Sequence, residues 1–298
     1  MKKILLLLFC LLAFPVVASH IVGGEFELIY ISKNRYRLNL ILYFDEKFGD
    51  KGAKDPSVTA RIFRKRDNAS MMIVTLDLRS QTPVSYTQPE CSNGEVVTSK
   101  LTYSTEITLS DSYDDSEGYY ISWERCCRNY SINNIYSEDP QAGSNYAGQT
   151  FYLEIPPVIL DGKPFVNSSP RLFPPLSDYA CPRRPYYVDF AGTDEDGDSL
   201  VYSLVTPLNT KSADALPPGG LPRPRPYPDV KYRPPYGPSN ILGGQPDLAI
   251  TQEGFLTVTP TQQGLFVFAV RCEEFRDGRK IGELRRDFQM LVLDRCPV

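Results

Sequence analysis

Histidine is almost missing from this sequence: among 298 residues there is one, His20. A serine or cysteine nucleophile needs a base to take its proton, and a lone imidazole near the chain's start leaves none elsewhere. The letters IVGG at Ile21 to Gly24 resemble the activated N-terminus of trypsin-like proteases, but without a second histidine that chemistry is excluded. Helical apolar periodicity is also hard to find, and 26 prolines and 20 glycines interrupt the chain too often for long helices. Past residue 17 no apolar run approaches the ~20 residues of a membrane helix. No C-x-x-C spacing occurs, which leaves thiolate zinc ligation as a minor competing reading. An excess of positive charge is lacking too, with a formal net charge of −4, and this argues against nucleic acid as a partner.

What is present is a set of short alternating runs rich in aromatic residues, with 19 tyrosines and 15 phenylalanines that suit pleated surfaces. Phe26, Leu28 and Tyr30 alternate on one face, then Tyr36, Leu38, Leu40 and Leu42. Further strands are expected over 58–63, 71–78, 96–109, 118–123 and 150–155. Near the end, Asp277-Gly278 is a type I′ turn signal, so 265–276 and 279–293 are expected to form a long antiparallel hairpin. The length suggests two units, 20–160 and 161–298, each able to bury a core.

The first 19 residues, MKKILLLLFCLLAFPVVAS, combine Lys2 and Lys3 with an apolar run and a small-residue end, as a secretory signal peptide does. The product is expected to be secreted, to the periplasm or the cell surface, with no transmembrane span in the mature chain. Cys10 goes with the discarded segment. Six cysteines remain, Cys91, Cys126, Cys127, Cys181, Cys272 and Cys296, and export favours disulfides. A bridge between the neighbours Cys126 and Cys127 conflicts with ordinary disulfide distances, so each is expected to have a distant partner.

The stretch with the most chemistry is Asp189 to Pro207, in which Asp194, Asp196 and Asp198 surround Gly197 and lead into the alternating Leu200, Tyr202 and Leu204. Clustered carboxylates suit a hard cation such as Ca²⁺, which takes 6–8 oxygens. The competing reading is a solvated Asp/Gly turn. An EF-hand is excluded, because counting from Asp194 puts Ser199 where glycine is required and Val205 where a bidentate glutamate is required. Glu274 is the first candidate to complete the shell. Between residues 216 and 245 lies a proline-rich insertion, expected as an extended excursion. Its Tyr227, Tyr232 and Tyr236, set among arginines, are candidates for binding a partner or a glycan; the alternative is a loop packed over its own domain.

Five ordered segments carry a resemblance: HIVGGE at 20–25, WERCCRN at 123–129, NSSP at 167–170, TDEDGDSLVYSL at 193–204 and RRDFQ at 285–289. Together they resemble the N-terminal region of large exported Bacteroidetes surface proteins, the gliding motility-associated ones, over nearly the whole mature chain. The D-x-D-G-D loop leading into L-x-Y-x-L is similar to the start of cadherin-like domains. In that likeness 251–259 and 264–270 form a closing strand pair. The resemblance implies an all-β protein of two Ig-like or cadherin-like β-sandwich domains in tandem. It also implies a non-enzymatic role in adhesion or gliding-associated assembly, with a cell-surface protein or glycan as partner. Members of that family are generally longer, with repeat sandwiches and a C-terminal sorting module, whereas this chain ends at Val298. Two other functions compete: a carbohydrate-binding module using exposed tyrosines, and a glycoside hydrolase using a carboxylate pair drawn from Glu124, Glu273, Glu274 and Asp287.

Overall fold

A computed structural model describes residues 21–49, 51–85, 94, 96–138, 146–173, 179–211 and 220–294. The expected signal peptide, Cys91 and Cys296 lie outside these. The first half forms β1 (Ile21–Ser32), β2 (Arg35–Asp45), β3 (Ser57–Arg64), β4 (Ser70–Pro83), β5 (Thr98–Thr108), β6 (Tyr119–Arg125) and β7 (Gln149–Ile155). The second half begins with short pieces, β8 (Ile159–Leu160), β9 (Lys163–Pro164), β10 (Arg171–Leu172), β11 (Tyr186–Asp189) and β12 (Gly192–Thr193). It continues with β13 (Ser199–Val205), β14 (Ala249–Ile250), β15 (Phe255–Val258), β16 (Gly264–Arg276) and β17 (Arg279–Val292). Among the described residues the only helical element is one 3₁₀ turn at Lys51–Ala53, so the all-β expectation holds.

The tandem-sandwich expectation does not. Strands pair in the order β1-β2-β5-β4-β3-β6-β7-β17, and β17 pairs again with β1, which closes an antiparallel ring of eight. The closing strand comes from the far end of the sequence and crosses the expected boundary at residue 160. One edge of β17 is shared: Glu283–Arg285 pair with β7, while Asp287 and Phe288 pair with Gly24 and Gly23 of β1. Its other edge pairs with β16 along nearly its whole length. Closure removes the two free edges that the first seven strands would otherwise expose. Alternation identifies strands but not their partners, which is why the ring escapes a reading by pattern.

Alternation also builds the core. Phe26 lies opposite Leu40 and Leu28 opposite Leu38, and all four are buried. Trp123 stacks on Phe151 across β6 and β7, with ring centroids 5.6 Å apart. Each such side chain contributes about 1.5–3 kcal/mol on burial. The second-half residues Phe190, Leu256, Val258, Phe266 and Phe268 belong to the same continuous core. β13 extends the sheet beyond β16, while β15 pairs with β11 and β14 and not with β16 as the cadherin likeness implied. The hairpin forms as expected, with positive φ at both Asp277 (51°) and Gly278 (75°).

The cysteines correct two expectations. Cys126 and Cys127 are bonded to each other, their Cα atoms 3.0 Å apart across a cis peptide, where a separate disulfide for each was expected. Cys272 is free and buried, opposite Tyr202 on β13, and burial pushes its thiol up to about 12. Cys181 is disulfide-bonded.

Two buried ion pairs hold β17 in place. Arg286 donates to Glu25 of β1 through Nη2 (2.7 Å) and Nε (3.1 Å), and its Nη1 donates to the Phe173 carbonyl. The next residue, Asp287, accepts from Nη1 (2.7 Å) and Nη2 (2.5 Å) of Arg128, whose Nε donates to the Gly148 carbonyl and whose Nη2 donates also to the Leu208 carbonyl. A Cβ at Gly23 would collide with the Asp287 carbonyl, and one at Gly24 with the Ile41 carbonyl. Glycines here are what permit the close approach of β1 to its neighbours.

The described part of the proline-rich segment lies as a strap over the outer faces of β3, β6 and β7. The Arg225 guanidinium sits 5.1 Å over the Tyr120 ring and donates to the Lys65 carbonyl. Tyr227 packs beside Tyr152 and hydrogen-bonds Ser122 Oγ at 2.7 Å.

Removing one partner of the inner pair leaves a buried charge uncompensated, so Glu25→Ala is expected to destabilise the fold by about 3–5 kcal/mol. Chemical denaturation measures this directly. A loss below about 1 kcal/mol would show that Arg286 does not fasten the ring.

Candidate functional site

The acidic loop opens β13, and its geometry starts from local hydrogen bonds. Asp194 Oδ1 accepts from the backbone N–H groups of Asp196 (2.9 Å) and Asp198 (3.0 Å), which curls the loop around Gly197 at φ 83°. Asp194 Oδ2 is buried and has no hydrogen-bond partner among the described residues. Opposite the loop, β16 presents Glu274, 1% exposed, next to a register shift in its pairing with β17. The residue facing Glu274 is Gly282, where an added Cβ would lie 2.5 Å from the carboxylate, so the glycine makes room for it.

Asp194, Asp198 and Glu274 bring carboxylate oxygens within 4.8 Å of one another. Three of the four expected ligands therefore meet. Asp196 does not join them, because its Oδ2 is taken by the backbone N–H of Ser168 at 2.6 Å. The segment NSSP supplies the rest of the frame. Asn167 donates to Glu274 Oε1 (2.8 Å) and accepts from Arg276 (2.6 Å), while Ser169 and Ser168 side chains accept from Leu28 and Tyr30 on β1. Arg276 also grips Asp198 through two hydrogen bonds of 2.7 and 2.6 Å. Asn167 and Arg276 were not expected from spacing alone; the only signal was NSSP itself, which carries no carboxylate.

Burial is the main cause that pushes Glu274 up to about 9, with the neighbouring Asp194 and Asp198 adding to it. Burial likewise raises Asp194. In the cation-free site Glu274 is thus a neutral acid that hydrogen-bonds Asp198. Chemically the cluster could hold either a proton shared among its carboxylates or a cation in its place. The three carboxylates would give a hard cation part of its shell, with backbone carbonyls or water making up the usual number.

The other expected site residues lie elsewhere. Tyr236 packs edge-on against Phe266, Tyr232 against the small cluster of Ile135, Val230 and Val267, and Tyr227 against Tyr152. The three tyrosines do not form an exposed platform. Of the carboxylates considered for hydrolysis, Asp287 is closed by Arg128, and Glu273 pairs with Lys280 and Arg271. Glu124 is buried and pushed up to about 7 by desolvation. No family model and no curated protein matches the chain.

Because folded Glu274 holds its proton to about 9 against an ordinary 4.5, the native state binds more protons than the unfolded chain between these values. Stability contributed here is therefore lost as pH rises through that window. Glu274→Gln keeps the shape and hydrogen bonding of the acid. With chelator present it is expected to melt like the parent near pH 4 and several degrees higher near pH 8. Parallel melting curves across that range would remove the buried acid from this account.

Proposed function

We propose that this chain is an exported, non-enzymatic module of the cell envelope or surface, acting in adhesion or gliding-associated assembly. A Ca²⁺ ion held by Asp194, Asp198 and Glu274 fixes its acidic loop against β16. The observation that carries the ion is the convergence of three carboxylates on one point, with an unpartnered buried oxygen of Asp194 among them. The ion's role is mechanical. It ties the loop, β16 and, through Asn167, Ser168 and Ser169, the end of β1 into one rigid corner, as an assembly or adhesive module under load requires.

A binding role is favoured over turnover because, of the carboxylates considered for a hydrolase, Glu273 and Asp287 are engaged in ion pairs, Glu124 is buried, and Glu274 belongs to the cluster assigned to the ion. Export is supported by the apolar, dibasic N-terminus and by the oxidised cysteines. The cell-surface context rests on the five-segment resemblance, and the partner is a surface protein or glycan.

Calcium titration followed by thermal melting tests the ion. At 100-fold excess over Kd, binding to the native state alone adds about 2.7 kcal/mol, which raises Tm by roughly 5 °C or more in a chain of this size. Asp194→Asn and Glu274→Gln are expected to abolish the rise, whereas Asp196→Asn leaves it. Absence of any Ca²⁺ response in the parent protein would overturn the ion.

A further inference from the structure

Beneath the strap lies a carboxylate that neither the ring nor the acidic corner uses. Glu124 stands on the outer face of β6, directly opposite Thr150 of β7, and is 2% exposed. Neither of its oxygens accepts a well-formed hydrogen bond among the described residues. The donors beside it are the backbone N–H groups of Arg223, on the strap, and Lys211, which leads into it. The charged or titratable groups around it are the Lys211 and Arg223 side chains, Tyr227 of the strap, and Arg61 of β3, which lies opposite Ser122 and donates to the Pro222 carbonyl. The Arg125–Asp55 pair sits on the other face of β6.

The strap also covers a ladder of rings. Phe63 stacks on Tyr120 with centroids 5.0 Å apart, Tyr120 lies 5.5 Å from Tyr152, and all three are buried. Neutral groups supply several of its fastenings. The Arg225 N–H donates to Tyr120 Oη at 3.0 Å, the Val230 N–H to the Pro207 carbonyl at 3.0 Å, and Tyr227 bonds Ser122 at 2.7 Å. Burial pushes the Tyr227 phenol well up, so it does not titrate near neutrality. Glu124 is the member of this contact whose charge can change there.

We propose that Glu124 is a proton-operated latch for the strap: with its carboxyl neutral the strap seats over β6, and loss of the proton loosens the strap and uncovers the rings of Phe63, Tyr120 and Tyr152. A carboxylate sealed under the cover loses its hydration without gaining a full set of hydrogen bonds, whereas lifting the cover returns it to water. Desolvation pushes Glu124 up to about 7 from an ordinary 4.5, in spite of the opposing N–H groups and cations. Between these values the closed strap holds a proton that the open one has released, so closure weakens as pH rises through the window and levels off above it. Across it the ratio of open to closed rises roughly a hundredfold. The uncovered rings form an apolar patch of the kind that docks other molecules, and mild acid keeps it shut. The latch shares no residue with the carboxylate cluster, so it stands or falls apart from the ion.

Amide hydrogen exchange on the mature, oxidised chain, with Ca²⁺ present and rates corrected for the intrinsic effect of pH, reads strap opening at the Arg225 and Val230 amides. These are expected to exchange faster than the amides of β6 and β7, because the strap opens while the ring stays folded. From pH 4.5 to 8 their protection is expected to fall roughly a hundredfold in the parent and to stay level in Glu124→Gln, which keeps the shape without the charge. Equal strap protection in parent and variant at pH 8 would overturn the latch. So would strap amides as protected as those of the ring strands, since the strap would then not open by itself. Protection that rises with pH would mean that Lys211 and Arg223 clamp the ionised carboxylate, and would reverse the assignment. Should Glu124→Gln not fold, the parent series decides alone: strap protection that does not fall between pH 4.5 and 8 refutes the proposal.

Discussion

Two successive residues of β17, Arg286 and Asp287, point to opposite faces of the strand, and each ends in a buried ion pair. The first reaches Glu25 on β1 and the second Arg128 after β6. All four side chains are almost wholly buried. Such pairs need not add stability over well-packed apolar residues, because desolvation offsets most of the attraction. Their effect is on register. A slip of β17 by one residue would exchange its faces and strand four charges away from water. That penalty fixes which residue of the last strand meets which residue of the first, and so decides where the ring closes.

The same strand and its hairpin partner then position the acidic corner. β17 supplies Gly282, the gap into which Glu274 leans, and β16 supplies Glu274 and Arg276 two residues apart on one face. The loop brings Asp194 and Asp198 to meet them, and Asn167 to Ser169 lock the assembly to β1. Segments distant in sequence are held to hydrogen-bond precision only because the ring has already fixed β1 against β17. Segments far apart in sequence touch here: Glu25 meets Arg286, Arg128 meets Asp287, and Ser168 meets Asp196.

What could be read from the sequence was local. Period-two alternation located the strands of the first half, and Asp277-Gly278 located the hairpin, because both depend on residues a few positions apart. Glu274 was also within reach, since a hairpin of known turn places its residues near whatever the preceding acidic loop faces. Closure was not legible. Whether β7 ends a sandwich or pairs with a strand more than a hundred residues later depends on long-range contacts that leave no periodic mark. The adjacent cysteines misled because the ordinary Cα separation of a disulfide, ~4.4–6.8 Å, describes bridges between residues that are not neighbours in sequence. Asp196 misled because spacing treats three aspartates alike, whereas the loop spends one on the backbone N–H of Ser168. The strap's tyrosines were legible as aromatic but not as inward-facing, which their prolines decide by laying the chain flat against β6.

Charge balance at the corner explains why it is poised and not simply acidic. Arg276 pairs with Asp198 and lies over the Phe165 ring, which leaves the half-buried Asp194 and the buried Glu274 close to each other without a cationic partner of their own among the described residues. Two ionised carboxylates there would repel at low dielectric, so the cation-free site keeps Glu274 neutral. A structural corner with no other duty would be better served by glutamine at 274, which donates and accepts without a charge to suppress. An acid at 274, beside an oxygen of Asp194 with no hydrogen-bond partner among the described residues, is the feature on which the proposed ion rests.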